Sequence, residues 1–413
     1  MNDLLSTPKP VSEVEISGRS VSPEPEQESK SSRLRSLVLA CLKIGLTSFG
    51  APTAHIAMME NEFVRKRKWI TEDQFLDMLG AANLIPGPNA SEMAYHVGYV
   101  RAGIPGLILG GLAFILPAFL TSAILGMVYL KYGSLPVAGS LFYVLNPLVL
   151  AIVLDTTWRV SKYSLKGWEQ FLIFGLTILA SFFGANETVV LLEAGALGIF
   201  LHYWLKQRNK PGLPLLSFLP FPLMGLIPLL NNASPLLQNR LVQIFLYFLK
   251  TGFVLFGSSM VLFGLIQNDV VERFHWLTPQ QLSDSIVVGQ ITPGPVLSST
   301  SFIGFMAGGW GGAALATLGV FLPGFLLVAA TAPILFKMRE SKMAQGFLRG
   351  VNASVVALIL MVAINLARSG LIDLWTVLLF LGGFFVLIRF ELTPVYLVLF
   401  GILLGILKTF LIK

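Results

Sequence analysis

Residues 69–88 read WITEDQFLDMLGAANLIPGP, and residues 276–295 read WLTPQQLSDSIVVGQITPGP. The two stretches are identical at seven of 20 positions, including the Trp, the following Thr and the tripeptide Pro-Gly-Pro. The preceding dipeptides Phe49-Gly50 and Phe256-Gly257 keep the same register. Self-similarity at one fixed offset is the mark of an internal duplication. We therefore predict that the chain consists of two homologous halves.

The composition is that of a membrane protein. Of 413 residues, 54% are hydrophobic and 12% are charged, and the mean hydropathy is +0.75, whereas soluble domains carry about 25% charged residues. The runs Ala102 to Leu130 and Ser285 to Phe336 contain no Asp, Glu, Lys, Arg or His, and about 20 apolar residues cross a bilayer. The predicted fold class is an all-α polytopic membrane protein. This composition excludes the soluble, collagen-like and disordered classes.

Several kinds of site are also disfavoured. The single cysteine, Cys41, cannot form an intramolecular disulfide, and the sequence has no Cys/His cluster at metal-ligand spacing. No metal and no cofactor are therefore expected. The net charge of +7 comes from basic residues in short loops between apolar runs, which is typical of membrane topology signals rather than of nucleic-acid binding.

The duplication predicts a domain plan. Residues 1–33 form a polar tail that we expect to be disordered, residues 34–206 the first membrane repeat, residues 207–240 a Pro-rich linker and residues 241–413 the second repeat. Each repeat offers five apolar spans, about ten in all, near 36–58, 104–130, 135–157, 169–184, 188–205, 241–266, 307–335, 346–367, 373–388 and 392–411. Two points stay open. Residues 213–230 could enter the bilayer, and the first span could be broken around residues 49–52.

The distribution of Lys and Arg predicts how the halves are oriented. In three pairs of matched loops, the half with more Lys and Arg residues alternates. The first half has more in the first pair (Arg65 to Lys68 against Arg273), and the second half has more in the next (Lys131 against Lys337, Arg339 and Lys342). The first half again has more in the third pair (Arg159, Lys162 and Lys166 against Arg368). Positive residues prefer the cytoplasmic side. An odd number of spans in each repeat together with this alternation favours an inverted-topology repeat.

The stretches that end in Pro-Gly-Pro are predicted to be re-entrant hairpins. Thr71 and Thr278 can each cap a helix that runs into the tripeptide. Proline lacks a backbone donor and cannot continue the helix. At membrane depth, a broken backbone is tolerated only where it is buried in protein or lines a polar cavity. The helix that resumes after the break then directs its N-terminal amides into that cavity, where they can bind an oxyanion.

Polar side chains surround both predicted breaks. They are Asn83, Asn89, Ser91, Glu92 and His96 in the first half, and Gln290, Thr292, Ser298, Ser299, Thr300 and Ser301 in the second. Hydroxyl and amide donors with few fixed charges suit a divalent oxyanion that must bind and then leave. Glu92 and His96 lie on one helical face and could couple transport to protons, although a structural hydrogen bond between them is an equal alternative.

The blocks FGAPTAHIAMMENEFVRKRKWI (49–70), ANLIPGPNASEMAYHVGYVRAGIPG (82–106) and GQITPGPVLSSTSFIGF (289–305) resemble the chromate ion transporter family. The resemblance extends over nearly all of the chain beyond residue 33. It implies a long-form, two-domain secondary transporter that exports chromate across the bacterial inner membrane, driven by the membrane potential or a proton gradient. The substrate-binding positions that it implies are Gly50, Pro52, His55, Asn83, Pro86, Gly87, Pro88, Asn89, Gly257, Gln290, Thr292, Pro293, Gly294 and Pro295, with Ser91 and Ser298 added from the polar inventory and Glu92 and His96 as coupling residues.

Other functions remain as alternatives. A sulfate transporter or another oxyanion transporter would need a similar site, and an uncoupled anion channel would share the inverted halves. A membrane enzyme is disfavoured because the chain has no HExxH, Walker A or dinucleotide motif. The expected partners are a chromate-like dianion and the lipid bilayer, without nucleic acid, and a homodimer is left open.

Overall fold

A computed structural model describes residues 29–49, 52–82, 85–133, 136–206, 239–257, 259–331, 342–390 and 394–411. Several predictions concern residues outside these ranges, namely the polar tail up to residue 28, the linker from residue 207 to 238, Gly50, Asn83, Lys337 and Arg339. The remaining predictions can be compared with the structure.

The described part of the first half is built from seven helices and one short strand. The helices are α1 (Lys30–Thr47), α2 (Pro52–Met59), α3 (Glu72–Ala82), α4 (Asn89–Tyr132), α5 (Pro136–Ser164), α6 (Trp168–Phe182) and α7 (Glu187–Lys206). A π-helical segment, Glu60–Lys66, continues α2, and strand β1 (Gly87–Pro88) directly precedes α4.

The second half repeats this order. Its helices are α8 (Arg240–Val254), α9 (Val261–Gln267), α10 (Pro279–Ile291), α11 (Ser299–Thr331), α12 (Lys342–Gly370), α13 (Leu374–Phe390) and α14 (Pro394–Leu411). A π-helical segment, Asn268–Arg273, again continues the second helix, strand β2 (Phe256–Gly257) follows α8, and a 3₁₀ turn (Val296–Ser298) precedes α11.

The two halves agree in backbone detail around the conserved Trp of each repeat. Thr71 and Gln74 bond reciprocally through side chain and backbone, at 3.2 and 3.0 Å. Thr278 and Gln281 form the same capping box, at 3.2 and 2.9 Å. This satisfies the first free amides of α3 and α10 and confirms the predicted helix starts. The residues before the two Trp also share a left-handed backbone, with φ of 51° at Lys68 and 50° at His275.

Helices α4 and α11 each contain a sharp turn. The backbone leaves helical geometry at Ala102 and Gly103 in α4, where Gly103 has φ of 66°, and at Gly308 and Gly309 in α11, where Gly309 has φ of 61°. A Cβ atom at Gly98 would lie only 2.4 Å from the carbonyl oxygen of Gly106. Residues eight apart could not approach so closely in a straight helix. The chain therefore folds back at each turn, and the long span begins after it.

The outer surface is apolar. Ile108, Leu112, Leu116 and Leu120 follow one another at intervals of four along α4, and each is between 41 and 48% exposed. Such a stripe on one helix face would be unfavourable in water and fits a lipid environment. Four described helices are long and apolar enough to cross a membrane: Asn89–Tyr132, Gly139–Ser164, Val296–Thr331 and Gln345–Gly370. The protein is therefore an all-α polytopic membrane protein.

The halves are interlocked rather than placed side by side. Helices α4 and α11 pack against each other, as do α5 and α12. Helices α6 and α7 of the first half pack mainly on α12, and α13 and α14 of the second half pack mainly on α5. Each half therefore completes the core of the other.

The first predicted span of each half is interrupted. Helix α1 ends at Thr47 and α2 begins at Pro52, so the continuous span at 36–58 is replaced by the broken alternative. The span at 241–266 is interrupted in the same way between α8 and α9, around strand β2. Proline at position 52 explains the first break, but the second contains no proline and was not predicted.

Candidate functional site

Four interruptions of the chain meet at the centre of the molecule. The Gly87 amide donates to the Leu255 carbonyl at 2.6 Å, and the Gly294 amide donates to the Ser48 carbonyl at 2.7 Å. Leu255 and Ser48 occupy the same position in the two halves, as do Gly87 and Gly294. Each Pro-Gly-Pro tip is therefore bonded to the first break of the opposite half. Strands β1 and β2 form the corresponding parallel pair, with Gly87 beside Phe256 and Pro88 beside Gly257.

Glycine is required at both tips. Gly87 has φ of 146° and Gly294 has φ of 88°, a region that L side chains rarely adopt. A Cβ atom at Gly294 would lie 2.9 Å from the Ala118 Cβ, and one at Gly87 would lie 2.1 Å from the Glu92 Oε1. The first tip therefore faces a carboxyl group, and the second faces the backbone and small side chains of α4.

The first-half tip is surrounded by buried polar groups. Ser91 and Glu92 are fully buried and His96 is 2% exposed. Neither carboxyl oxygen of Glu92 has a hydrogen-bond partner within the described residues, and the same holds for Nε2 of His96. The structural hydrogen bond between Glu92 and His96 that we considered is therefore absent. A buried polar group without a partner is costly, so these side chains are available to an additional ligand or proton.

The second-half tip is lined by hydroxyl groups. The Ser122 hydroxyl lies 3.5 Å from Thr292 Oγ1 and 3.4 Å from Ser298 Oγ. Ser299 occupies the position equivalent to Glu92 and is fully buried. The Gln290 amide points to the Met260 sulfur at 3.9 Å. This tip therefore offers neutral donors and no carboxylate among its described residues.

The helices that resume after the tips begin with uncapped amides. Pro88 is the N-cap of α4 and Pro295 that of the 3₁₀ turn before α11, and neither start has a side-chain cap. Free amides at a helix start carry partial positive charge and can bind an anion. Ser298 and Glu92 have no exposed surface, whereas Pro86, Asn89 and Pro293 are partly exposed.

The predicted positions are distributed as follows. Pro86 and Pro293 lie in the turns, and Asn89 begins α4. Gly257 pairs with Pro88 in the strand ladder, and Pro52 begins α2. His55 is 1% exposed and packs edge-on against Phe114, with 6.0 Å between the ring centroids. Both of its ring nitrogens are buried without a hydrogen-bond partner among the described residues, so its substrate-binding role stays a prediction.

Two kinds of residue were missed from the sequence. Ser48 and Leu255 contribute carbonyl oxygens, which any residue carries, so the side chains give no signal. Ser122 lies in a long apolar run, and only the packing of α4 brings it to Thr292 and Ser298. The matched positions of Ser48 and Leu255 in the repeat are the one feature that could have suggested their equivalence.

Comparison with known proteins agrees with this architecture. The sequence profile of the family "Chromate transporter" matches twice, over residues 35–199 and 242–406. A probable chromate transport protein of Synechococcus elongatus is 32% identical over 84% of this chain and 88% of its own length. The chromate transport protein of Cupriavidus metallidurans is 32% identical over 87% of this chain and 88% of its own length.

A third relative, the chromate transport protein of Pseudomonas aeruginosa, is 30% identical over 79% of both chains. No solved structure matches the chain at a significant level. Three findings support the same conclusion. They are the repeated family match, the similarity over most of each relative's length and the apolar helices. This chain is a multi-pass bacterial membrane protein and belongs to the chromate transporter family.

Proposed function

We propose that the protein is a secondary transporter that exports chromate across the plasma membrane. Relatives named as chromate transport proteins support the substrate. The observation that carries the proposal is the pair of Pro-Gly-Pro tips, each bonded to the opposite half and each followed by uncapped helix amides. Such discontinuous helices at the interface of two repeats are typical of the binding sites of secondary transporters.

The chemistry of the tips suits a tetrahedral dianion. Ser91, Ser298 and Ser299 provide hydroxyl donors, and the helix starts provide backbone amides. Neutral donors bind a dianion without the tight ion pairing that would prevent its release. We assign Gly87, Pro88, Gly294 and Pro295 to the backbone cradle of the site.

We further propose that the halves are inverted in the membrane, with about ten spans, two re-entrant hairpins and repeats at 34–206 and 241–413. The reciprocal bonds from Gly87 to Leu255 and from Gly294 to Ser48 support a two-fold relation between the halves. When each repeat has an odd number of spans, the two-fold axis that relates the repeats lies in the membrane plane. Cysteine labelling should place the loops at Lys66 and Arg273 on opposite sides, and labelling from one side would contradict the inversion.

Glu92 and His96 are the proposed coupling residues. The Glu92 carboxyl lies against the first tip and has no fixed hydrogen-bond partner among the described residues. Binding a proton there would reduce the repulsion between the carboxylate and an incoming dianion. A proton bound in this way leaves together with the dianion, so the membrane potential, which favours the exit of an anion, drives export, and an imposed pH gradient changes its rate.

The absence of exposed surface on Glu92 and Ser298 favours a transporter over a continuously open channel. The test is uptake of radiolabelled chromate into everted membrane vesicles, with sulfate competition and with pH and voltage gradients imposed separately. Gradient-driven accumulation is expected. Equilibration without accumulation would instead support a channel, and preferential sulfate uptake would support the alternative substrate.

Variants of the tips test whether the free helix amides are needed for transport. Pro88→Ala and Pro295→Ala should each reach the membrane but lose chromate transport, because a helix that continues through the tip removes the free amides. Full transport in both variants would reduce the tips to packing kinks.

A further inference from the structure

A second polar cluster lies away from the tips, around Asp284 of α10. Asp284 is 1% exposed, and its carboxylate accepts hydrogen bonds from the Tyr129 hydroxyl at 2.6 Å and the Gln280 amide at 2.9 Å. The Asn146 amide also hydrogen-bonds the Asp284 carboxyl, and all three donors are neutral. An ionised carboxylate buried in a membrane protein without a cation is costly, so this arrangement calls for a positive partner.

Asp284 borders a cavity of about 330 Å³. Asn146 of α5 lines the same cavity, is 7% exposed and has no hydrogen-bond partner for its Oδ1 atom. Among the described lining residues, Asp284 is the only one with a carboxyl group, and none carries an amine, a guanidinium or an imidazole. The cavity therefore combines one carboxylate, an unsatisfied amide oxygen, a phenol oxygen and room for several waters, since a water occupies about 30 Å³. Oxygen ligands of this kind suit a hard cation.

Within the described residues, the other titratable groups around Asp284 do not supply that cation. Tyr129 approaches from α4 and Tyr143 from α5. Tyr143 is itself engaged, because it donates to Asp373 and carries the Lys408 ammonium of α14 over its ring. Helices α9 and α11, which also pack on α10, contain no charged residue.

Helix α4 connects this cavity with the second-half tip. Ala118 lies at Gly294, Ser122 lies at Thr292 and Ser298, and Tyr129 lies at Asp284. Residues 122 and 129 are two turns apart and share one helix face. A shift of α4 relative to α10 would therefore change the cavity and the tip together.

In the sequence, the first half lacks the same set of side chains. Asp77 occupies the position that matches Asp284, but Asp73 stands in place of Gln280 and Leu335 in place of Tyr129. The phenol donor is thus particular to the second half. This makes Asp77 a matched control.

We propose that the Asp284 cavity binds a monovalent cation, Na⁺ or a proton, and that its occupation is coupled to the oxyanion at the second-half tip. The inference rests on the proposed transport function and adds a coupling site to it. The cation compensates the buried carboxylate, and its arrival loosens the Tyr129 bond that joins α4 to α10. Release of that bond frees the tip to open.

The experiment uses the full chain in proteoliposomes. Chromate exchange without any gradient is measured first, followed by net chromate uptake with an imposed Na⁺ gradient, with choline as the control cation, or an imposed pH gradient. We expect one of the two gradients to stimulate net uptake in the wild type. In Asp284→Asn, the ratio of gradient-driven uptake to exchange should fall about tenfold, the effect of losing one charged ligand. In Asp77→Asn, this ratio should stay within about twofold.

Each outcome is decisive. Stimulation by Na⁺ that is lost in Asp284→Asn identifies the cation as sodium, and stimulation by pH that is lost in Asp284→Asn identifies it as a proton. Stimulation that Asp284→Asn retains, as a proton at Glu92 would give, overturns the cation site. Exchange without stimulation by either gradient would overturn the cation site but leave the transport function intact, whereas absence of exchange would refute the transport function itself. If Asp284→Asn does not reach the membrane, Asn146→Ala should raise the half-saturating cation concentration about tenfold. An unchanged concentration would also overturn the inference.

Discussion

The two Pro-Gly-Pro tips have the same backbone and different surroundings. At both, a glycine with positive φ donates to a carbonyl of the opposite half. At Gly87 the nearest side chain is the ionisable Glu92, whereas at Gly294 it is the methyl group of Ala118, and Ser299 replaces the carboxylate. The duplication has kept the geometry that presents amides to a ligand. The halves have diverged in the side chains that could carry a charge.

This difference suggests that the two tips have different roles in transport. The second tip is enclosed by α4 and hydroxyl groups, which suits recognition of an oxyanion. The first tip adds a carboxyl group without a fixed partner in the described structure, which suits coupling. Each of the following predictions tests whether the two tips differ in this way.

The largest effect is expected at Gly294. Gly294→Ala combines an unfavourable φ with a methyl group 2.9 Å from Ala118, so it should lower the free energy of unfolding by about 2–4 kcal/mol and abolish chromate transport. Gly87→Ala should cost less, because the obstructing Glu92 side chain can move, and the cost should fall further in a Glu92→Ser background.

Thermal unfolding in detergent and vesicle transport measure these effects. Gly382→Ala is the control, since a Cβ there meets no atom within 4 Å. Equal losses at the two tips in both backgrounds would remove the proposed difference.

The second effect concerns pH. Glu92→Gln should reduce the stimulation of chromate transport by an imposed pH gradient roughly tenfold, because an amide cannot exchange a proton. Gln290→Ala, at the second tip, should leave that stimulation in place even if it weakens chromate binding. Transport rates across a series of imposed pH gradients provide the measurement. The same pH profile in wild type and Glu92→Gln would exclude Glu92 as the coupling group.

The third effect is a change in accessibility. Single cysteines at Ser91 and Ser298, in a Cys41→Ser background, start fully buried. If the halves alternate, chromate turnover should increase labelling by an impermeant thiol reagent at one position as it decreases labelling at the other. Labelling of both positions from both faces, independent of chromate, would favour an open pore.

The smallest effect is expected outside the tips, on the stability of the two π-helical segments, one in each half. Glu62 accepts a 2.7 Å bond from Arg67 and lies near Lys43 and Lys66, whereas its counterpart Asp269 forms a longer ion pair with Arg273, at 3.8 Å. The hydrogen bond from Arg67, assisted by the charge of Lys43, holds the pKa of Glu62 below its usual value. Glu62→Gln should therefore cost about 1–2 kcal/mol, and Asp269→Asn less than about 1 kcal/mol.

The pH dependence of this effect has a defined sign. A carboxylate whose pKa is lowered on folding stabilises the protein above its unfolded pKa, near 4.3, and that stability is lost as the pH falls through the lower folded value. Unfolding temperatures measured from pH 6 to pH 3 should decline more steeply in the wild type than in Glu62→Gln. Parallel curves would show that the Arg67 contact adds no stability.

Much of the candidate site could be predicted from the sequence because its signals are local. The threonine caps, the proline breaks and the pairing of the two 20-residue stretches depend on residues close in the chain. The turn at Gly308 and Gly309 could not be predicted, since a Gly-Gly pair in an apolar run is compatible both with close helix packing and with a turn. The break between α8 and α9 was missed, because no proline marks it.

The sequence by itself determined the membrane character, the duplication and the positions of the two tips, because hydrophobicity, repeat register and proline geometry act over short stretches. Only the tertiary structure decided that each tip bonds the opposite half, that Ser122 reaches Thr292 and Ser298, and that Tyr129 reaches Asp284. These contacts join residues more than 150 positions apart. They depend on how α4 packs against α10 and α11, and side-chain chemistry along the chain carries no record of that packing.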